Sequence, residues 1–343
     1  MKQVVKFFTV AGLLLIVNLT FAQEKSNPGM YMQYFSDHYK QVSQDMWDYM
    51  SAIARGKNAK KVESRRKELL KSLLDAKRRI AATKPFFGDA GLRDSTVSFL
   101  KLNYNILHED YDKVLNLEEI SEQSFDKMEA YILVRKATNE KMNAASDALE
   151  VEQDRFATEH HVNLIHDESK LGKKLARAGK AFNYYDELFL LYFKCQFQES
   201  NMINAMNKGD INAMEQSKNA LLQFADEGLV TLTGLKSFES DGSLIIACRN
   251  LLNFYKIEAK NKMTIIIDFY LKKENFEKIN AIMKTKGKNA SREEFDKYNK
   301  SMNEYNTLIN KFNKANEDLN KERGHTLDNW NDSVKGFLDK HAG

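Results

Sequence analysis

The amino-acid sequence predicts an all-α protein. Only two prolines, Pro28 and Pro85, occur in 343 residues, while Lys, Glu, Asn, Leu, Ala and Met are abundant. Few helix breakers and many helix formers favour helices along the whole chain. Apolar residues also recur at alternating spacings of four and three, which places them on one side of a helix. Together these observations predict two tandem, duplicated four-helix up-down bundles with long helices.

The first 22 residues have the pattern of a secretory signal peptide. Lys2 and Lys6 precede an apolar run, and Thr20 and Ala22 place small side chains before Gln23. We therefore expect export to the periplasm, the cell surface or the outside, with residues 23–30 disordered in the mature chain. That chain has 50 basic side chains (52 − 2) and 48 acidic ones. This balance does not favour nucleic acid as a partner, and without an apolar run of ~18 residues no transmembrane helix is expected.

The first helical unit is predicted for residues 31–160. In this unit the first helix is followed by a second at 59–84, and a turn at 85–91 comes next. A third helix then runs from Leu92 to about 115, and a fourth from about 118 to 159. The first helix has an apolar seam at four-three spacing: Phe35, Tyr39, Val42, Met46, Tyr49 and Ile53.

The second unit is predicted for residues 170–343, after a linker at 161–169. One helix ends at 208–210, a second is lined by Met214 and Leu221, and a third runs from Leu244 to about 271. The two halves align when one is shifted by about 152 residues. In this alignment, turns fall on turns and core positions fall on core positions. We interpret this match as an old internal duplication. The aligned pairs include Phe86 with Phe238, Asp89 with Asp241, and Leu92 with Leu244.

The last helix is expected to begin at a capping box formed by Ser291 and Glu294. Its apolar seam continues at four-three spacing from Tyr298 to Leu319. Such a seam forms either a coiled coil with a partner or a packing surface on the protein's own bundle.

Signatures of catalysis are missing from the sequence. We find no Gly-x-Ser-x-Gly elbow, no glycine-rich phosphate loop and no Cys-x-x-Cys pair, so we predict a protein without enzyme activity or cofactor. Cys195 and Cys248 are expected to be two buried thiols or one disulfide. The weak candidates for metal ligands are His160, His161 and His166, at the junction of the two halves.

The charge distribution is more informative than any motif. Residues 57–84 contain eleven basic side chains and three acidic ones, whereas residues 109–129 contain eight acidic side chains and two lysines. Either the two segments pair on one surface, or the basic segment binds anionic lipid head groups or polymers. The candidate residues of this basic face are Lys60, Arg65, Arg66, Lys71 and Arg78.

Three functional hypotheses follow. The first is a non-catalytic binding or interaction module whose partner is a protein or an anionic component of the cell envelope. The second is a small-molecule carrier with an apolar pocket between the two units, lined by Phe86, Phe87 and Phe238. The third is a metal-dependent enzyme at the junction from His160 to Glu168.

Several short motifs resemble a family of exported surface proteins of diderm bacteria. The resemblance extends over nearly the whole mature chain and implies a surface or periplasmic location, but it implies no activity. The motifs that carry it are Trp47-Asp48-Tyr49, Leu92-Arg93-Asp94-Ser95-Thr96-Val97, Asn116-Leu117-Glu118-Glu119-Ile120, Asn163-Leu164-Ile165 and Asn275-Phe276-Glu277-Lys278.

Overall fold

The computed structural model describes residues 27–55, 59–110, 125–164 and 169–343. These residues form helices joined by short turns, and they contain no β-strand, so the predicted all-α class is confirmed. Within the same residues, no helix combines the length and the apolarity needed to cross a bilayer.

The chain divides into two compact units. The first consists of residues 1–186 and 335–343, and the second consists of residues 187–334. This division differs from the predicted one, in which residues 161–169 separate the units. The difference arises because two long helices, Lys170–Lys208 and Arg292–Ala342, each contribute residues to both units.

The first unit is built from four helices and the ends of two others. In sequence order, α1 packs against α2, α2 against α3, and α3 against α4. Its core takes Phe35 and Val42 from α1, Leu69 and Leu73 from α2, and Leu100 from α3. The bounds are Pro28–Ala54 for α1, Ala59–Ala81 for α2, Gly91–Asn105 for α3 and Phe125–Glu159 for α4.

The start of α1 corrects the prediction that residues 23–30 are disordered, since the helix already begins at Pro28. The side chain of Asn27 accepts a hydrogen bond from the Met30 N–H at 3.2 Å. Proline suits the first helical position because no partner is available there for an amide hydrogen. Residues 23–26 lie outside the described part of the chain.

The second unit contains residues from five helices. The bounds of these helices are Lys170–Lys208 for α5, Ile211–Gly234 for α6, Ser243–Ile257 for α7, Met263–Lys286 for α8 and Arg292–Ala342 for α9. Helix α6 packs against α7 and α8. The core of this unit includes Leu188, Leu221, Leu251, Leu252 and Ile266.

The capping box that precedes α9 is confirmed by two reciprocal hydrogen bonds. The Ser291 N–H donates to Oε2 of Glu294 at 2.9 Å, and the Glu294 N–H donates to Oγ of Ser291 at 3.2 Å. The seam of α9 packs on α8, where Phe312 stacks on Phe269 with ring centroids 4.2 Å apart. Of the two predicted roles for this seam, packing within the chain is therefore the one observed.

Two short π-helices were not expected from the sequence. Ile106–Asp110 continues α3, and Glu258–Lys262 links α7 to α8. The helix predicted from Leu244 to about 271 is therefore interrupted, and after the interruption it extends to Lys286. A π-helical turn admits an extra residue without breaking the rod, and no local residue pattern marks it. The predicted end of the third helix near 115 lies outside the described residues.

Two turns, 152 residues apart, have the same backbone form. Phe86 and Asp89 form an isolated β-bridge, and so do Phe238 and Asp241. In both turns the two central residues have positive φ, 49° and 95° in the first and 46° and 70° in the second. Each turn is followed by a 15-residue helix and a five-residue π-helix.

Candidate functional site

A basic stripe of four exposed side chains lies on the outer side of α2. Their spacings of seven, four and seven place them within about 40° around the helix axis, opposite the buried side that includes Leu69 and Leu73. We use "basic stripe" for this set: Lys60, Lys67, Lys71 and Arg78.

The ion pairs of the basic stripe are long and exposed. Lys67 lies 3.6 Å from Glu63 with its side chain 72% exposed, and Arg78 lies 3.7 Å from Asp75 with its side chain 80% exposed. Water and salt screen such pairs, so each contributes little and leaves the cation available to another anion.

Only some of the predicted basic residues belong to this surface. Lys60, Lys71 and Arg78 are exposed on the stripe. Arg65 faces α1 and pairs with Glu68 at 2.6 Å and with Asp48 at 3.5 Å.

Arg66 is a correction to the predicted basic face, because it is buried. Its guanidinium group donates to both carboxylate oxygens of Glu63 and, at 3.0 Å, to the carbonyl oxygen of Leu107 in the first π-helix. Arg66 therefore joins α2 to the end of α3 and has a structural role.

An open groove of about 410 Å³ between α1 and α2 borders the stripe. Its walls carry the carboxylates of Asp37, Asp45 and Asp75 as well as the cations of Lys71 and Arg79. Because the groove presents both signs of charge, an anionic ligand is better matched by the stripe than by the groove.

The aromatic residues predicted to line a pocket have unlike surroundings. Phe86 is 7% exposed and packs within the first unit against Tyr31, Phe156 and His160. Phe87 is 79% exposed. Phe238 belongs to the second unit and is half-buried. The ring of Phe86 is thus part of the core of its own unit.

The end of α4 holds a charged cluster around Asp89. Arg155 Nη2 donates to both carboxylate oxygens of Asp89 at 2.9 Å, and Nε2 of His160 lies 3.1 Å from Oδ2. Arg155 also pairs with Glu152 and Glu159. Burial opposes ionisation of Asp89, but the Gly91 N–H, Arg155 and His160 together lower its pKa.

Of the predicted metal ligands, this cluster contains His160. Donor atoms of Asp89, Glu159 and His160 lie within 4.8 Å of one another. The guanidinium group of Arg155 already supplies the positive charge between these carboxylates, which fits a structural ion-pair network better than a metal site. His161 is exposed, and His166 lies outside the described residues.

A buried carboxyl pair in the second unit was not predicted. Glu258 is 0% exposed and Glu199 is 4% exposed, and the guanidinium group of Arg323 donates to both. Burial, the nearby charge of Glu199 and a hydrogen bond between the two carboxyl groups raise the pKa of Glu258 to about 9. Glu258 is therefore protonated at neutral pH, and the charges of Glu199 and Arg323 cancel each other.

Both cysteines are buried free thiols. The Sγ atom of Cys248 lies 3.7 Å from the carbonyl oxygen of Leu188. Burial raises the pKa of Cys248 to about 12 and raises that of Cys195 well above its usual range. These thiols are poor nucleophiles at neutral pH.

Comparison of the chain with family models, with curated proteins and with solved structures gave no significant match.

Proposed function

We propose that the chain is an exported, non-catalytic binding protein that recognises an anionic component of the cell envelope through the basic stripe of α2. The cations of the stripe are exposed and lie on one side of one helix, and the described ion pairs of Lys67 and Arg78 are long. Residues 111–124 of the acidic segment that was considered as their alternative partner lie outside the described residues. Phosphate groups of lipids or of envelope polymers would exchange readily with the partners of such cations.

A comparison of α2 with α6 is the observation that carries this proposal. Both helices precede the same turn, and the Glu63–Arg66 ion pair of α2 has a counterpart in Glu215–Lys218 of α6. The four positions of α6 that correspond to the stripe are equally exposed, yet all are uncharged: Asn212, Asn219, Gln223 and Val230. The helix and its packing thus do not require cations at these positions.

We also infer that the two helical hairpins descend from one duplicated segment. Their turns share bridges and positive φ values, and a side-chain carboxylate accepts from an N–H two residues later in each, at 2.9 Å in the first turn and 3.0 Å in the second. A single duplication produces all of these features at once, whereas independent origins would have to produce each of them separately at the same shift of 152 residues. The basic stripe would then be a later specialisation of the first copy.

The proposal of a non-catalytic role is supported by the state of the two polar clusters. The carboxylate of Asp89 is held by Arg155 and by the backbone of Gly91. The carboxyl group of Glu258 is sealed from solvent. Neither arrangement presents a reactive group to a substrate in solution.

Export is tested by expressing the chain with its leader in a diderm host. We expect the protein in the envelope fraction or the medium, with an N-terminal sequence that starts at Gln23. Retention in the cytoplasm with residues 1–22 intact would contradict this part of the proposal.

The ligand class is tested with the processed protein. We expect it to bind phosphatidylglycerol vesicles or polyphosphate at low salt and to lose most of that binding in the double variant Lys71→Glu/Arg78→Glu. The matched control is Lys314→Glu/Lys321→Glu, which makes the same charge change at the same spacing on exposed sites of α9. Absence of binding, or equal losses in the two variants, would refute the proposal.

A further inference from the structure

Phenylalanine is energetically unfavourable at position 87. Phe87 is the first central residue of the turn after α2, with a φ of 49° that is strained for a bulky side chain. Its ring is 79% exposed, although it touches Phe86 with ring centroids 4.9 Å apart. Both the backbone conformation and the hydration of the ring therefore disfavour phenylalanine here.

The turn itself does not require an aromatic residue. In the second turn the equivalent position holds Glu239, with a φ of 46° and the same β-bridge around it. A polar residue thus supports the same conformation in the same protein. Strain that persists without a structural need points to a function.

The surroundings of Phe87 combine apolar and cationic groups. Lys84 and Arg79 are exposed between the end of the basic stripe and the turn. The first turn of α1 lies alongside, since the hydroxyl of Tyr31 donates to the carbonyl oxygen of Lys84 at 3.2 Å. Met30, in the same turn of α1, is 38% exposed.

The acidic groups near this turn are already engaged. Asp89 is held by Arg155, and Asp94 pairs with Arg93 at 2.7 Å. Since Glu152 and Glu159 share Arg155 with Asp89, that side of the turn is acidic, and the exposed cations Arg79 and Lys84 give the turn a basic side only towards α2.

We propose that Phe87 is a membrane anchor that inserts into the interface of an anionic bilayer while the basic stripe contacts the lipid phosphates. This inference rests on the proposed function and specifies its ligand as a lipid surface. One inserted aromatic ring and a row of cations bind a bilayer reversibly, because each contribution alone is weak. Phenylalanine is one of the side chains that proteins bound to a membrane surface bury at the boundary of head groups and acyl chains.

Insertion is measured directly with an environment-sensitive fluorophore on a cysteine at position 87. The native thiols are buried, so Phe87→Cys can be labelled selectively in the folded protein. Glu239→Cys places the same label on the equivalent turn as the matched control. We expect phosphatidylglycerol vesicles to shift the emission of the label at 87 to shorter wavelength and to leave the label at 239 unchanged. Equal responses would overturn the inference.

The energetic contribution is measured with Phe87→Gln, which removes the aromatic ring without adding a charge. We expect affinity for phosphatidylglycerol vesicles to fall by roughly tenfold or more, from the loss of one buried ring, with binding to polyphosphate unaffected. If vesicle binding depends on Lys71 and Arg78 but not on Phe87, the anchor is refuted and the proposed function stands. If neither probe binds the wild-type protein, both proposals fail.

Discussion

The guanidinium group of Arg323 on α9 donates to Oε1 of Glu258 in the second π-helix at 2.8 Å, and it also binds Glu199 on α5. One cation thereby ties together three segments that are far apart in sequence. With both carboxyl groups ionised, the buried set would carry a net negative charge. The raised pKa of Glu258 removes that charge at neutral pH.

Replacement of Glu258 by glutamine should make the second unit less sensitive to alkaline pH. In the unfolded chain Glu258 loses its proton above its ordinary pKa of 4.5, whereas the folded chain retains it up to about 9. Folding therefore takes up a proton in this range, and the stability of the wild-type protein falls as pH rises. The advantage of Glu258→Gln should grow with pH by at most about 1.4 kcal/mol per pH unit.

Urea unfolding from pH 5 to 9 measures this difference. Trp330 is buried in the second unit and, in a Trp47→Phe background, is the sole tryptophan reporter. Glu317→Gln, at an exposed position of α9, is the control and should leave the profile unchanged. A constant difference between Glu258→Gln and wild type would contradict the assignment of the proton.

Loss of Arg323 should strongly destabilise the second unit. Arg323→Met leaves two buried carboxyl groups without their cation, and we expect a loss of about 3 kcal/mol in the free energy of unfolding at pH 7. The positions of the first half that correspond to Glu199 and Glu258, 153 and 152 residues earlier, hold Met46 and Ile106. The triple variant Glu199→Met/Glu258→Ile/Arg323→Met should recover most of the loss, as measured by urea unfolding. A single variant as stable as wild type would refute this role of Arg323.

Most helix boundaries could be predicted because their signals are local. The capping box at Ser291, the end of α5 before Gly209 and the two matching turns all depend on residues within a few positions of one another. The burial of Arg66 was also encoded locally, because it lies three and seven residues before Leu69 and Leu73 on one side of α2. A count of charges along the helix did not take that angular position into account.

The remaining features depend on partners distant in the sequence. Glu199 lies four residues after Cys195 and three before Met202 on a buried stripe, a spacing that could have indicated a buried acid. Nothing local identified Arg323, 124 residues away, as its partner. The sequence also did not indicate which of two adjacent phenylalanines is exposed: Phe86 is buried, whereas Phe87 is not.

Gly91 should tolerate no side chain without loss of the charged cluster. A Cβ atom at Gly91 would overlap Oε1 of Glu152 and lie 2.5 Å from Nη2 of Arg155. Both side chains can move, but only by weakening the pairing of Arg155 with Asp89. We expect Gly91→Ala to destabilise the first unit by about 1–2 kcal/mol in urea unfolding. Ser243→Ala, at the equivalent exposed position of the second turn, should change stability by less than about 0.5 kcal/mol.

Phe87→Asn should stabilise the fold while it weakens the proposed membrane contact. Asparagine adopts positive φ more readily than phenylalanine and is favoured in turns with two such residues. We expect a gain of roughly 1 kcal/mol in the free energy of unfolding, together with weaker binding to phosphatidylglycerol vesicles. Glu239→Asn is the control: it should give a smaller gain and leave vesicle binding unchanged. If Phe87→Asn lowers stability, the ring of Phe87 has a packing role on Phe86, and its exposure no longer points to a ligand.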